Sequence, residues 1–132
     1  MSQIRVIIAD DRREIRYGLR VLLEEEQAKC VVREAADLRQ LMSEVQQTCP
    51  DLVLLDWELG PVSGRDILTK LQGACPKTNV VALSARPEAR SLALSCGAAA
   101  FVLKGDWVEA VLAAVRSAIG SRCEDRERER LR

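Results

Sequence analysis

The chain has 132 residues, of which 48% are hydrophobic, and its 20 basic side chains balance 20 acidic ones to a net charge of zero. That is enough chain for one domain with an ordinary core, and the charge balance excludes a polybasic module that coats nucleic acid or an anionic membrane. Histidine is absent, which excludes Ser-His-Asp and Cys-His nucleophile systems, histidine general bases and histidine metal sites.

The pattern alternates between two kinds of segment. Ile4 to Ala9 (IRVIIA) is a short, largely β-branched run stopped by Asp10-Asp11. From Arg12 the apolar period becomes helical, with Ile15, Leu19, Leu22 and Leu23 on one face and Gly18 expected between them without bulk. Cys30 to Ala35 reads as a second strand, and Leu38, Leu41, Met42 and Val45 mark a second helix, with Asp37 as N-cap and Pro50 beyond its end. Leu52 to Leu55 (LVLL) suits a strand covered on both faces. After the Gly60–Gly64 loop, Ser63 is placed to cap a helix carrying Ile67, Leu68 and Leu71. Asn79 to Leu83 (NVVAL) is a fourth strand ending at Ser84. A short helix from about Pro87 to Cys96 then stops at Gly97. Ala99 to Leu103 (AAFVL) is a fifth strand ending at Lys104. Asp106 is expected to cap a last helix whose buried stripe is Val108, Val111, Leu112, Val115 and Ile119. The domain is expected over residues 1–120, and 121–132 (SRCEDRERERLR) reads as a solvated helix extension or linker stub.

The five cysteines, Cys30, Cys49, Cys75, Cys96 and Cys123, include no CxxC pair. Their odd number and wide spacing read as reduced thiols, mostly small core residues of a cytosolic protein. Arg5 and Asp10 interrupt the first apolar stretch, so no signal peptide is expected. No run reaches the length of a membrane span. A soluble cytoplasmic domain with no membrane partner is the expectation.

Five strands alternating with five helices predict an α/β fold, a doubly wound parallel sheet with right-handed crossovers and helices on both faces. Residues just after the strands then share one sheet edge, where such folds bind ligands. Asp10 and Asp11 follow strand one, Asp56 ends strand three, Ser84 ends strand four and Lys104 ends strand five. Clustered carboxylates invite Mg²⁺, while a lysine ammonium and a hydroxyl suit the oxygens of a phosphoryl group in transfer. A carboxylate beside the metal can then be the nucleophile that forms an aspartyl phosphate, and Asp56 is the most central.

These motifs, VIIADD, LVLLDWELGPVSG, VVALSA and GAAAFVLK, together resemble the receiver domain of two-component response regulators over Ile4 to about Gly120. ADDRREIRYGLRVLL and GAAAFVLK look most like receivers of LuxR/NarL-type transcription regulators. The resemblance implies a flavodoxin-like (βα)5 fold with strand order 2-1-3-4-5. It makes Asp56 the phosphoacceptor, with Mg²⁺ held by Asp10, Asp11, Asp56 and the backbone carbonyl of Glu58. Ser84 becomes the switch hydroxyl, Lys104 the phosphate-facing lysine and Phe101 the switch aromatic. The implied donor is a histidine kinase or phosphotransfer protein, and the implied output is control of transcription through a changed partner surface. A homodimer is open to it, and direct nucleic-acid binding by this chain is not expected.

Two positions depart from the family pattern. Gly60 stands where proline is common, with Pro61 next, and Gly105 follows Lys104 where proline is frequent; Gly64 keeps its distance from Asp56. Two other classes compete. A haloacid-dehalogenase-type phosphohydrolase needs a second aspartate where Glu58 stands, and also a cap domain. A receiver-like interaction module would leave the reactive positions unused. LuxR/NarL-type regulators carry a helix-turn-helix after the receiver, which SRCEDRERERLR is too short to form, so a stand-alone receiver and a chain cut in a linker both stay open. At the rim, Trp57 either packs or borders the site. Glu58 and Arg86 are expected to pair across its mouth, shielding the aspartyl phosphate from water.

Overall fold

The computed structural model describes residues 3–26, 30–105 and 107–131. Ten elements alternate along the chain: β1 (Ile4–Ala9), α1 (Arg13–Glu26), β2 (Cys30–Ala35), α2 (Leu38–Thr48), β3 (Leu52–Asp56), α3 (Gly64–Ala74), β4 (Asn79–Ser84), α4 (Ala89–Ser95), β5 (Ala100–Leu103) and α5 (Trp107–Arg130). The strands form one sheet in the order β2-β1-β3-β4-β5, every pair parallel, as expected.

Alternation along each strand splits the core in two. Ile7, Ala9, Val53, Leu55, Val80, Ala82 and Phe101 face Leu41, Val45, Ile67, Leu68, Leu71 and Ala93 of α2, α3 and α4. Val6, Ile8, Leu52, Leu54, Val81, Leu83 and Val102 face Leu19, Leu23, Val111 and Val115 of α1 and α5. β3 sits in the middle of the sheet, and all five of its residues are buried, which is why LVLL is unbroken rather than alternating.

Two helix starts are written locally. Asp37 accepts from the Gln40 N–H at 2.8 Å and Ser63 from the Asp66 N–H at 3.1 Å. Gly97 ends α4 at φ +108°, and a Cβ there would come within 2.4 Å of Gln72 Nε2.

Four expectations are corrected. Cys49 and Cys75 are not thiols but a disulfide, with Cα atoms 5.6 Å apart. It joins the C-terminal ends of α2 and α3, which the topology brings together on one face. Cys49 sits at φ 42° in the left-handed region, a conformation that costs a residue with a Cβ about 1–2 kcal/mol. Cys30 and Cys96 are free. Val108 is 53% exposed, and the buried stripe begins at Val111. Gly18 is exposed with open space where a Cβ would lie, so packing does not demand glycine there. α4 is shorter than expected, starting at Ala89. The expected cap at Asp106 lies outside the described residues, as do the side chains of Trp107, Ile119 and Cys123. Among the described residues, no helix is long and apolar enough to cross a membrane.

Candidate functional site

The parallel register brings the polar strand ends together. Ala9 pairs with Leu55 and Asp56 with Leu83, so Asp10 and Asp56 emerge side by side. The ladder runs one residue further on each side. The Asp10 N–H donates to the Ala35 carbonyl at 3.1 Å, the Trp57 N–H to Leu83 at 2.8 Å and the Lys104 N–H to Ser84 at 2.9 Å. Each functional side chain therefore leaves a backbone fixed by sheet hydrogen bonds.

Asp10 is fully buried and Asp56 nearly so. Asp10, Asp11 and Asp56 each offer a carboxylate oxygen within 4.8 Å of the others. Lys104 Nζ donates to Asp10 Oδ2 at 3.0 Å and lies 3.3 Å from Asp56 Oδ1. Backbone amides supply further donors: Arg12 N–H to Asp10 Oδ1 at 2.9 Å and Glu58 N–H to Asp56 Oδ1 at 3.0 Å. Oδ1 of Asp56 thus takes both protein contacts, leaving Oδ2 with no protein partner among the described residues.

Burial pushes the Asp56 carboxyl above its ordinary pKa, and the Asp10 charge pushes it the same way; the Glu58 N–H and Lys104 only partly oppose this. For Lys104 burial pulls downward, but its bond to Asp10 and the charges of Asp56 and Asp10 outweigh burial and hold it above the ordinary value. One ammonium against three carboxylates leaves the cluster with unneutralised negative charge. Hard oxygen donors with that surplus fit a divalent cation such as Mg²⁺.

Ser84 is fully buried. Its Oγ lies 2.9 Å from both oxygens of the Glu58 carboxylate and accepts the Arg86 N–H at 3.0 Å. The expected Glu58–Arg86 pair is therefore absent: Arg86 Nε is 3.9 Å from Glu88 on its own loop, and Glu58 is engaged by the Ser84 hydroxyl. Trp57 is 7% exposed and packs in the core against α3. A Cβ on Gly64 would come within 2.4 Å of its ring, so Gly64 keeps the space the indole fills. Trp57 also lines, with Glu58, Val62, Arg86, Ala89 and Leu92, a cleft of about 350 Å³ beside the site. Phe101 is buried in the same core half. Gly60 takes φ +63°, and its bond to Pro61 is cis.

One support escaped the sequence reading. Arg16 of α1 donates to the Asp10 carbonyl at 2.8 Å and, with Arg20, holds Glu34 of β2 at 3.0 and 2.6 Å. The signal was two arginines one helical turn apart.

Comparison with known proteins gives one family. Residues 6–116 match the response regulator receiver domain. The chain is 33% identical over 113 residues to the transcriptional activator protein ExaE of Pseudomonas putida, covering 84% of this chain and 53% of that one. It is 29% identical over 119 residues to the uncharacterized transcriptional regulatory protein YxjL of Bacillus subtilis, covering 89% and 55%. The chain thus spans about half the length of these relatives. Among solved structures, a CheY-like receiver domain protein from Methanospirillum hungatei superposes with a TM-score of 0.83 at 22% identity, over 94% of this chain and 99% of that one.

Proposed function

The chain belongs to the response regulator receiver family of two-component signalling, and from that premise we propose that Asp56 is its phosphoacceptor and that the strand-end residues around it form the phosphorylation site. What supports the reading is the position of Asp56: buried at the end of the central strand, with Oδ1 held by the Glu58 N–H and Lys104 and Oδ2 without a protein partner among the described residues. Asp10, Asp11, Asp56 and the backbone carbonyl of Glu58 would hold Mg²⁺, which supplies positive charge against the phosphoryl oxygens.

The donor, by membership of the receiver family, is a phosphohistidine of a histidine kinase or phosphotransfer protein. Oδ2 of Asp56 forms the new bond to phosphorus as the bond to the imidazole nitrogen breaks, and the bonding pair leaves with that nitrogen. Lys104, anchored on Asp10, donates to a phosphoryl oxygen and keeps the nucleophile oriented. The product adds charge and acceptor oxygens beside Ser84. Ser84 turns toward them and Phe101 follows, which changes the surface formed by α4, β5 and α5. The chain is then a switch that loads and unloads itself rather than a turnover enzyme. It works in the cytoplasm and, as in its transcriptional relatives, reports to a transcription output.

Intact-mass measurement after incubation with acetyl phosphate and Mg²⁺ tests this. The parent gains one phosphoryl group, and Asp56→Asn gains none. A parent of unchanged mass overturns the reading in favour of an interaction module that is not phosphorylated.

A further inference from the structure

A hydroxyl has one hydrogen to donate. In Ser84 that hydrogen is committed to Glu58, whose two carboxylate oxygens both lie 2.9 Å from Oγ, while a lone pair of Oγ takes the Arg86 N–H. Ser84 is fully buried, so water does not compete for it. Glu58 is anchored at its own backbone, its N–H on Asp56 Oδ1 at 3.0 Å and the next N–H, of Leu59, on the Asp56 carbonyl at 3.1 Å. The carboxylate is thus presented to Ser84 by the same short turn that presents Asp56.

We propose that Glu58 is a positioning residue that latches the Ser84 hydroxyl in its resting place, so that an oxyanion arriving on Asp56 must take that hydrogen from Glu58. The proposal rests on the reading of Asp56 as phosphoacceptor. Ser84 cannot donate to both acceptors, so the activated state begins with the loss of a charge-assisted hydrogen bond. The freed carboxylate then lies beside a new anion and turns into the cleft that Arg86 and Trp57 line. The latch lowers apparent affinity for any phosphoryl mimic by the fraction of molecules in which Ser84 is free.

Calorimetric titration with beryllofluoride in excess Mg²⁺ tests this on the full chain, with Glu58 as Glu, Gln and Leu, each combined with Ser84 and with Ser84→Ala. Glu58 is exposed and its carbonyl survives substitution, so the variants keep both the fold and the metal donor. With Ser84 present, affinity rises from Glu to Gln to Leu, and Leu binds about tenfold or more tighter than the parent, the worth of one charge-assisted bond. Gln lies between because it still offers an acceptor oxygen without charge. In the Ser84→Ala series the Gln and Leu variants become equal and the gain over Glu shrinks, leaving only the removal of a negative charge. Equal Gln and Leu affinities with Ser84 present, and the same gain in both series, overturn the latch and leave simple repulsion. A parent that binds no beryllofluoride overturns the phosphoacceptor reading, and the latch falls with it.

Discussion

Two aspartates flank β3, Asp51 before its first residue and Asp56 at its last, and they are buried almost equally, 4% and 3% exposed. Their surroundings differ in kind. Asp51 is answered by the backbone of β1: its Oδ2 accepts the Arg5 N–H at 2.9 Å and its own N–H donates to the Arg5 carbonyl at 2.9 Å. Its carbonyl also accepts the Asn79 N–H at 3.0 Å, so one residue ties together the starts of three strands. Nearby, Thr78 Oγ1 donates to the Pro50 carbonyl at 2.6 Å, and the Cys49–Cys75 disulfide closes the same end. Asp56 instead faces a like charge on Asp10 and is raised in pKa by burial. Burial does not separate a structural carboxylate from a reactive one. The difference is whether the protein answers the charge with fixed donors or leaves part of it unanswered.

The largest effect should come from the end of the sheet where the strands start. Reducing the disulfide, whose cysteines are 26 positions apart, removes about 3–4 kcal/mol by loop-closure entropy and lowers Tm by about 10–15 °C. Beryllofluoride affinity should stay within about twofold. A large change in affinity on reduction would break the comparison, because the two ends would then be coupled.

The two aspartates themselves come next. Asp51→Ala takes this charged acceptor from the part-buried bond to the Arg5 N–H and should cost about 1–3 kcal/mol in urea denaturation. Asp56→Asn keeps an acceptor for the Glu58 N–H and removes one of the three clustered carboxylate charges, so without Mg²⁺ it should lie within about 1 kcal/mol of the parent, on the stabilising side. Equal losses at the two positions would refute the distinction.

The smallest effect concerns the scaffold beneath Asp10. Burial alone would raise the Glu34 pKa, but its hydrogen bonds and attraction to Arg20 and Arg16 outweigh burial and hold it below the ordinary 4.5. The folded state therefore binds this proton more weakly than the unfolded chain does. The stabilisation is fully present above pH 4.5 and disappears as pH falls through the lower folded value. Glu34 is partly exposed, so the amount is about 1 kcal/mol or less. Urea midpoints of the parent and Glu34→Gln should differ at pH 6 and draw together as pH falls below 4.5.

The sequence carried the strands and the chemical edge because both are periodic facts. IRVIIA, LVLL and NVVAL stop at polar residues, and a parallel sheet must gather those stops on one side. Asp10, Asp56, Ser84 and Lys104 meet where that rule puts them. What escaped depends on torsions and on distant chain segments. Nothing in the spacing of Cys49 and Cys75 shows that α2 and α3 end side by side. Glu58 and Arg86 have opposite charges on neighbouring loops, so pairing them was the natural expectation, yet a buried hydroxyl with no water to serve it takes the carboxylate instead. Trp57 and Gly64 look unrelated until the loop folds back and the indole fills the room of a missing side chain.

The short helix α4 is held by side chains at one end only. Its last turn is held by Gln72, which donates to the Cys96 carbonyl at 3.2 Å, and by the Gly97 turn. Its first turn has no side-chain cap and begins on the loop of Ser84 and Arg86. It buries two alanines, Ala89 and Ala93, where α3 buries Ile67, Leu68 and Leu71. Little apolar surface is lost when that first turn lifts, so its local opening free energy sits at the low end of the molecule's range. On the reading of Asp56 as phosphoacceptor, a displacement of the Ser84 loop would reach α4 at this first turn. That turn is tied to the loop by the Ala89 N–H on the Arg86 carbonyl at 3.1 Å, and its movement is resisted by little buried apolar surface.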